Sequence, residues 1–113
     1  MTDDRRAYER HDVSVPVTFV SENTGTTYKG TIKNIGMGGV LMETVARLSP
    51  MDRLELHLSG GDAGTIKVPA VVVRYQLESS FGIAFVSLGR DDQARVRKLI
   101  DHFVKRRRRA PGE

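Results

Sequence analysis

A chain of 113 residues, 39% of them hydrophobic, is long enough for one folded domain and too short for two. The absence of cysteine excludes a disulfide framework and a thiolate metal site, and no apolar run approaches the roughly 18 residues that span a bilayer. The charged N-terminus also lacks the apolar segment of a signal peptide. These features predict a cytoplasmic protein that is not integral to a membrane.

The net charge of +4 is concentrated at the end of the chain. Residues 105–113, KRRRRAPGE, contain five cations and one acid, whereas residues 1–104 contain 13 of each. A basic patch across a folded face would favour nucleic-acid binding, but a terminal run of charge is more often a solvated tail. The sequence therefore predicts a neutral folded unit with a basic tail and gives no strong indication of a nucleic-acid partner.

Most of the chain alternates apolar and polar residues in the way that is typical of half-buried strands. In DVSVPVTFV the apolar residues recur at every second position, and Pro16 on the opposite face predicts an edge or an irregularity. Five further strand-like segments follow, separated by glycine-rich or polar turns: TYKGTIKNI, VLMET, RLELHL, TIKVPAVVVRYQLE and FGIAFVSL. Six short strands predict a mainly β domain, either a small antiparallel barrel or a sandwich.

After GRDD the apolar residues follow the period of a helix. They form one stripe at Val96, Leu99, Ile100, Phe103 and Val104. The stripe predicts an amphipathic helix over about residues 91–105 that packs on the strands, with Asp91 as its N-cap. The basic run then follows the C-terminal end of the helix, where cations oppose the helix dipole favourably.

No arrangement of side chains indicates an enzyme or a metal site. The three histidines, His11, His57 and His102, lie far apart on different predicted elements, and no HExxH spacing is present. No serine stands in a GxSxG turn. We therefore predict neither catalytic residues nor a cofactor.

The segment NIGMGGVL joins two predicted strands and is rich in glycine. A dinucleotide-binding GxGxxG motif would need glycine at position 41, where Leu41 stands, and a helix after it. Instead, the segment predicts a tight turn in which Asn34 can bond local backbone. Gly36, Gly38 and Gly39 would allow either positive φ or the close approach of a ligand. A purely structural hairpin explains this turn about as well as a binding site.

The segment RRAYER, the NIGMGG turn and the order of strands and helix together resemble the PilZ domain family, from Arg5 to about Val104. In that family an RxxxR motif, often preceded by another arginine, lies on an N-terminal arm. Arg6 and Arg10 match this motif, and Arg5 is the additional arginine. The resemblance implies a six-stranded antiparallel β-barrel with a C-terminal helix.

The family's second motif, Asp or Asn-x-Ser-x-x-Gly, matches at Asn34 and Gly39, whereas Gly36 stands where the family usually has serine. A missing hydroxyl removes about one hydrogen bond, worth ~0.5–1.5 kcal/mol, which would weaken binding without abolishing it. Arg74, at the exposed end of the fifth strand, has a position from which family members can approach a guanine. The resemblance implies that the ligand, cyclic di-GMP, contacts Arg5, Arg6, Arg10, Asn34, Gly36, Gly38, Gly39 and Arg74.

The resemblance thus implies a bacterial second-messenger receptor. Cyclic di-GMP has two phosphates and two guanines, and the planar arginine fork pairs with phosphate oxygens, with the guanine Hoogsteen edge and with purine faces. Residues 1–10 would then be a flexible arm that the ligand folds onto the barrel of residues 11–104. An unidentified protein partner would read the ordered surface.

Two other functions stay open from the sequence. A PilZ-like adaptor that has lost nucleotide binding is supported by Gly36 and opposed by the intact RRxxxR motif. Alternatively, the basic tail of residues 105–113 binds nucleic acid or an anionic membrane surface, in which case binding should weaken steeply with salt.

Overall fold

The structure, a computed structural model, describes residues 10–61, 64–77 and 79–108. These residues form a closed antiparallel barrel of six strands followed by one helix. The strands are β1 (Arg10–Ser21), β2 (Thr27–Gly36), β3 (Gly39–Glu43), β4 (Arg53–Ser59), β5 (Thr65–Leu77) and β6 (Ser80–Phe85), and the helix is α1 (Arg90–Arg108). Around the barrel the order is β1-β2-β3-β6-β5-β4. The predicted β-barrel with a C-terminal helix is confirmed.

The interior of the barrel is filled by apolar side chains from all six strands and from α1. On β1 the predicted alternation holds, since Val13, Val17 and Phe19 are buried while Val15 is half-buried. On α1 the apolar stripe packs into the same core, and Val96 there is fully buried. Each such side chain contributes about 1.5–3 kcal/mol when it leaves water, so the alternation decides which face of each strand points inward.

At Pro16 the described pairing of β1 is with β2 and not with β4. The proline is opposite Thr31 on β2, whereas the described pairs between β1 and β4 begin at Thr18. The missing proline N–H therefore removes no hydrogen bond from the β4 side. The register of β1 against β2 also shifts between Asp12 and Val15, so the predicted irregularity is present in this strand.

The start of α1 differs from the prediction. The carbonyl of Gly89 accepts a 2.8 Å hydrogen bond from the N–H of Gln93, which makes Gly89 the residue that caps the helix. Asp91 lies inside the first turn, where its charge still favours the positive end of the helix dipole. At the other end α1 continues to Arg108, so much of the basic run is helical rather than a separate tail.

The antiparallel pairing gathers several segments at one end of the barrel. The start of β1, the turn between β2 and β3, and the end of β6 all lie there. Gly38 in that turn accepts a 2.9 Å hydrogen bond from the N–H of Phe85, which ties the turn to the end of β6. The N-terminal residues of β1 and the glycine-rich turn are therefore brought together, although they are 24 or more residues apart in sequence.

The loop between β3 and β4 contains a turn with an unfavourable residue. The N–H of Asp52 donates to the carbonyl of Ser49 at 3.0 Å, and Met51 has a φ of 78°. Proline at the second position and a left-handed third residue define a type II turn, which favours glycine at the third position. Because the Met51 side chain is 77% exposed, it gains little packing in return for this backbone conformation.

We expect Met51→Gly to stabilise the fold by about 0.5–1 kcal/mol, because relief of a left-handed non-glycine residue exceeds the entropy that glycine loses on folding. The melting temperature measured by circular dichroism should rise by about 2–5 °C. Met51→Ala is the matched control, since it removes the exposed side chain and keeps the strained backbone. Equal melting temperatures for the glycine variant and the wild type would contradict the assignment of strain to this turn.

Candidate functional site

An open cavity of about 590 Å³ lies on the outside of the barrel, at the end that carries the β2–β3 turn. Residues of β1, β2, β3, β5 and β6 and of the β2–β3 turn line it. Five residues that the sequence predicted for the site are among them: Arg10, Asn34, Gly38, Gly39 and Arg74. The fold therefore brings most of the predicted set to one place, although these residues come from four different strands and one turn.

Strand register arranges the outer surface at this cavity in two parallel rows. The first row consists of successive partners across five strands, namely Asp12, Asn34, Leu41, Gly82 and Arg74. The second row, one step nearer the end of the barrel, consists of Arg10, Gly36, Gly39, Ala84 and Val71. Residues directly opposite each other in a sheet face the same side.

The middle of the second row carries no side chain larger than a methyl group. Two glycines and one alanine occupy three adjacent strands between Arg10 and Val71. Neighbouring strands are about 4.8 Å apart, so the low region is about 10 Å wide. We call this region, Gly36, Gly39 and Ala84, the trough. Gly39 and Ala84 of the trough also line the cavity, whereas Gly36 is buried beside Arg10 and does not.

Two β-bulges turn Asn34 and Arg74 to the outer face. Between Ile32 and Asn34 the strand β2 advances two residues while β3 advances one, and β5 does the same against β6 between Val72 and Arg74. Regular alternation would place both polar side chains inside the barrel, because Ile32 and Val72 are fully buried. Each extra residue reverses the alternation, and the polar side chain that follows reaches the cavity.

Asn34 holds Arg10 in place. Nε of Arg10 donates a hydrogen bond to Oδ1 of Asn34, and Nδ2 of Asn34 donates to Oδ1 of Asp12 at 2.9 Å. The two bonds fix which end of the amide faces the arginine, because the carbonyl must accept and the amino group must donate. Asn34 therefore orients the guanidinium of Arg10, and the direct ligand contact predicted for it stays a prediction.

Two arginines place their charges on the same cavity. Partial burial lowers the pKa of Arg10, and the nearby positive charge of Arg74 lowers it further. Because a guanidinium titrates far above neutral pH, Arg10 stays charged. Its partial desolvation and its repulsion from Arg74 therefore raise the free energy of the ligand-free site. Among the described residues neither arginine forms an ion pair, so an anion that contacts both would reduce this repulsion.

Gly39, which follows the β2–β3 turn, serves close approach of two strands rather than an unusual backbone angle. In the described part of the chain the glycines with positive φ are Gly25, Gly61 and Gly64, so that reason does not apply to the turn. At Gly39 a Cβ atom would lie 2.0 Å from the carbonyl oxygen of Ile83 on β6. Glycine at 39 therefore allows β3 and β6 to pair at this point.

Three of the predicted site residues are not among those that line the cavity. Arg5 and Arg6 lie outside the described residues, and their part in the site stays a prediction. Gly36 lies directly opposite Arg10 in the ladder, but it belongs to the trough without lining the cavity. The other residues that line the cavity have no signal in the sequence, because their places depend on cross-strand register and a bulge: Val40, Leu41, Val73, Gly82, Ile83 and Ala84.

Other polar groups lie apart from this cavity. His57 pairs with Glu55 on β4 through a 2.9 Å contact between Nε2 and Oε1. Within the described ranges no group of three or more histidine or acidic side chains could hold a metal ion. Nor is any helix in the part of the chain that the structure describes long and apolar enough to cross a membrane.

Comparison with known proteins agrees with the fold. Residues 4–102 match the family model described as PilZ domain. The structure is similar to the PilZ domain with c-di-GMP of YcgR from Escherichia coli, with a TM-score of 0.72 and 14% identity over 96% of this chain and 99% of that chain. It is also similar to the K. pneumonia MrkH-c-di-GMP complex, with a TM-score of 0.70 and 24% identity over 93% of this chain and 54% of that chain.

A third similar structure is the PilZ domain of CeSA from a cellulose synthesizing bacterium, with a TM-score of 0.67 and 17% identity. The alignment covers 82% of this chain and 95% of that chain. At these identities the structural likeness establishes the fold alone. A search of curated proteins finds no match to the chain.

Proposed function

Because the chain belongs to the PilZ domain family, whose domains are ligand-binding receptors rather than enzymes, we propose that it is a receptor for cyclic di-GMP. One observation carries the proposal: Arg10 and Arg74, from strands on opposite sides of the trough, line the same cavity, and Asn34 fixes Arg10 there. The similar YcgR and MrkH structures both contain c-di-GMP.

The shape and charge of the cavity suit this ligand. About 590 Å³ falls within the range of ~300–1,000 Å³ that is typical of small-molecule sites. Two separated guanidinium groups match a ring that has two phosphates, and arginine also pairs with the guanine Hoogsteen edge or stacks on its face. The small residues Gly39 and Ala84 leave room in the cavity for a planar base between the two cations.

The N-terminal arginines can reach the ligand from where β1 begins. Arg10 is the first residue of β1 and lies at the edge of the cavity. Four residues of extended chain span about 13–14 Å, so Arg6 can reach the middle of the trough from its attachment at Arg10. We propose that two phosphates neutralise these cations and order residues 1–9 over the ligand, which creates the surface that a partner protein reads.

Isothermal titration of cyclic di-GMP into the purified protein tests the proposal. We expect a dissociation constant in the micromolar range or lower. Cyclic di-AMP is the control, because it has the same phosphates but an amino group where guanine has O6. Equal affinity for the two nucleotides would mean that the site recognises the phosphates and does not distinguish the bases. No binding of cyclic di-GMP at high protein concentration would contradict the proposal and favour the adaptor that works without nucleotide.

Hydrogen exchange tests the ordering of the arm separately. With saturating cyclic di-GMP, the amides of residues 5–9 should become protected by comparison with the free protein. Equal exchange with and without ligand, in a protein that binds the nucleotide, would contradict the ordering and leave the receptor function intact.

Gly36 offers a gain-of-affinity prediction. Gly36→Ser restores the hydroxyl that the family usually has at this position, directly opposite Arg10. We expect the affinity for cyclic di-GMP to rise about three- to ten-fold, which corresponds to one additional hydrogen bond. Gly36→Ala is the control, because it adds the Cβ atom without the hydroxyl. If the serine variant binds no more tightly than the alanine variant, the hydroxyl contributes nothing and the site at this position is built differently from the family pattern.

A further inference from the structure

The side chain of Arg74 lies across strand β6 instead of projecting straight from the barrel. Arg74 and Gly82 are direct partners between β5 and β6. A Cβ atom on Gly82 would lie 3.4 Å from Cγ of Arg74 and 3.7 Å from its Nε. Cγ and Nε are two bonds apart and both lie within contact distance of this point, so the middle of the Arg74 side chain lies over Gly82. Since the next strand beyond β6 is β3, this direction leads toward the trough.

The bulge on β5 makes space at Gly82 scarce. Val73 and Arg74 both stand opposite the single residue Gly82, and both face outward. Val73 is 54% exposed and also lines the cavity. A side chain at position 82 would therefore compete with the stem of Arg74 for the surface of β6. A glycine inside a strand is otherwise unfavourable, because it has no side chain to pack and loses more backbone entropy on folding.

We propose that Gly82 is a positioning residue for the ligand site: without a side chain there, the stem of Arg74 can lie over β6 and carry its guanidinium into the cavity opposite Arg10. This inference rests on the proposed function for the identity of the ligand. It assigns the effect of residue 82 to Arg74 rather than to a contact with the nucleotide. It also implies that β6 gives up strand stability at this position in favour of binding.

Substitutions at position 82 test the inference. In Gly82→Val the branched side chain occupies the place of the Arg74 stem, and we expect the affinity for cyclic di-GMP to fall about ten- to a hundred-fold, as for loss of a charge-assisted contact. Gly82→Ala adds a Cβ at ordinary contact distance, and its loss should be much smaller. Thermal unfolding should show that the valine variant is at least as stable as the wild type.

A double-substitution cycle separates the two explanations of a loss. If Gly82 acts through Arg74, Gly82→Val should cost no more than about two-fold in an Arg74→Ala background, since the group that it displaces is already gone. If valine costs the same in both backgrounds, it blocks the ligand directly and the inference is wrong. A full affinity for Gly82→Val in the otherwise wild-type protein would overturn it as well.

Nuclear magnetic resonance of the free protein tests the geometry without any nucleotide. In the wild type we expect nuclear Overhauser contacts between the γ protons of Arg74 and the α protons of Gly82. In Gly82→Val we expect the contacts between the Arg74 side chain and the backbone of β6 to be lost. Absence of these contacts in the wild type would overturn the inference. If they are present but cyclic di-GMP does not bind, the proposed function fails while the position of Arg74 stands.

Discussion

Gly39→Ala is expected to destabilise the barrel by about 3 kcal/mol or more. The added Cβ would lie 2.0 Å from the carbonyl oxygen of Ile83 and 3.0 Å from Cα of Ala84. Both are backbone positions, so no side chain can rotate away. β6 is paired on both sides in a closed barrel, and it cannot move from β3 without loss of its pairing with β5.

Thermal and urea unfolding followed by circular dichroism measure this effect. We expect the melting temperature of Gly39→Ala to fall by more than about 10 °C. Gly82→Ala is the matched control, because it makes the same change in the neighbouring strand where the new atom meets an ordinary contact distance of 3.4 Å. Similar unfolding free energies for the two variants would show that β3 and β6 separate easily, which would contradict the role of Gly39 in their close pairing.

The predictable part of this molecule was the part that each segment encodes by itself. The valines of β1 and the apolar stripe of α1 follow periods of two and about 3.6 residues, and burial of those residues gives the same assignment in the structure. The sequence also marked Gly39 as special, and the structure shows that close approach of β6, rather than positive φ or a ligand, requires glycine there. Such patterns can be recognised within one segment, without knowledge of which strands lie beside it.

The first residue of the helix was harder to predict, because both glycine and aspartate can occupy the N-cap position. GRDD offers both Gly89 and Asp91, and aspartate is the better N-cap by its side chain. The hydrogen bond from Gln93 to the carbonyl of Gly89 shows that the helix begins earlier and leaves both acids in its first turn. The carboxylates then act on the helix dipole, which gives a similar benefit from a different position.

The site itself depends on register and could only partly be predicted. Asn34 and Arg74 would point into the core if their strands alternated regularly, and neither bulge is marked by a glycine or proline. Gly82 has no signal of its own, since its importance comes from a partner eight residues away on another strand. Motif resemblance identified Asn34 and Arg74, but only the structure shows that Asn34 holds Arg10 and that the stem of Arg74 lies over Gly82.

Arg10→Ala is expected to weaken cyclic di-GMP binding about ten- to a hundred-fold, because a charge-assisted contact contributes roughly 1.5–3 kcal/mol. Arg10 is one of two described cations on the cavity, and the site already holds it against desolvation and against the charge of Arg74. The ligand is the group that would compensate this cost. Removal of Arg6 in addition should take the affinity below detection, since the arm then keeps only Arg5 of its motif arginines.

Isothermal titration measures the loss of affinity for cyclic di-GMP. The Arg10→Lys variant shows how much of that loss comes from the charge and how much from the shape of the guanidinium. Lysine keeps the charge but has no planar fork and no Nε group for Asn34, so its affinity should lie between those of alanine and the wild type. Stability should change by less than about 1 kcal/mol in either variant, because Arg10 is only partly buried at the first residue of β1, and the alanine variant also relieves repulsion from Arg74. Full affinity in Arg10→Ala would place the phosphates elsewhere and separate the cavity of this barrel from nucleotide binding. Full affinity in the lysine variant alone would mean that charge is sufficient and that the orientation given by Asn34 is not used.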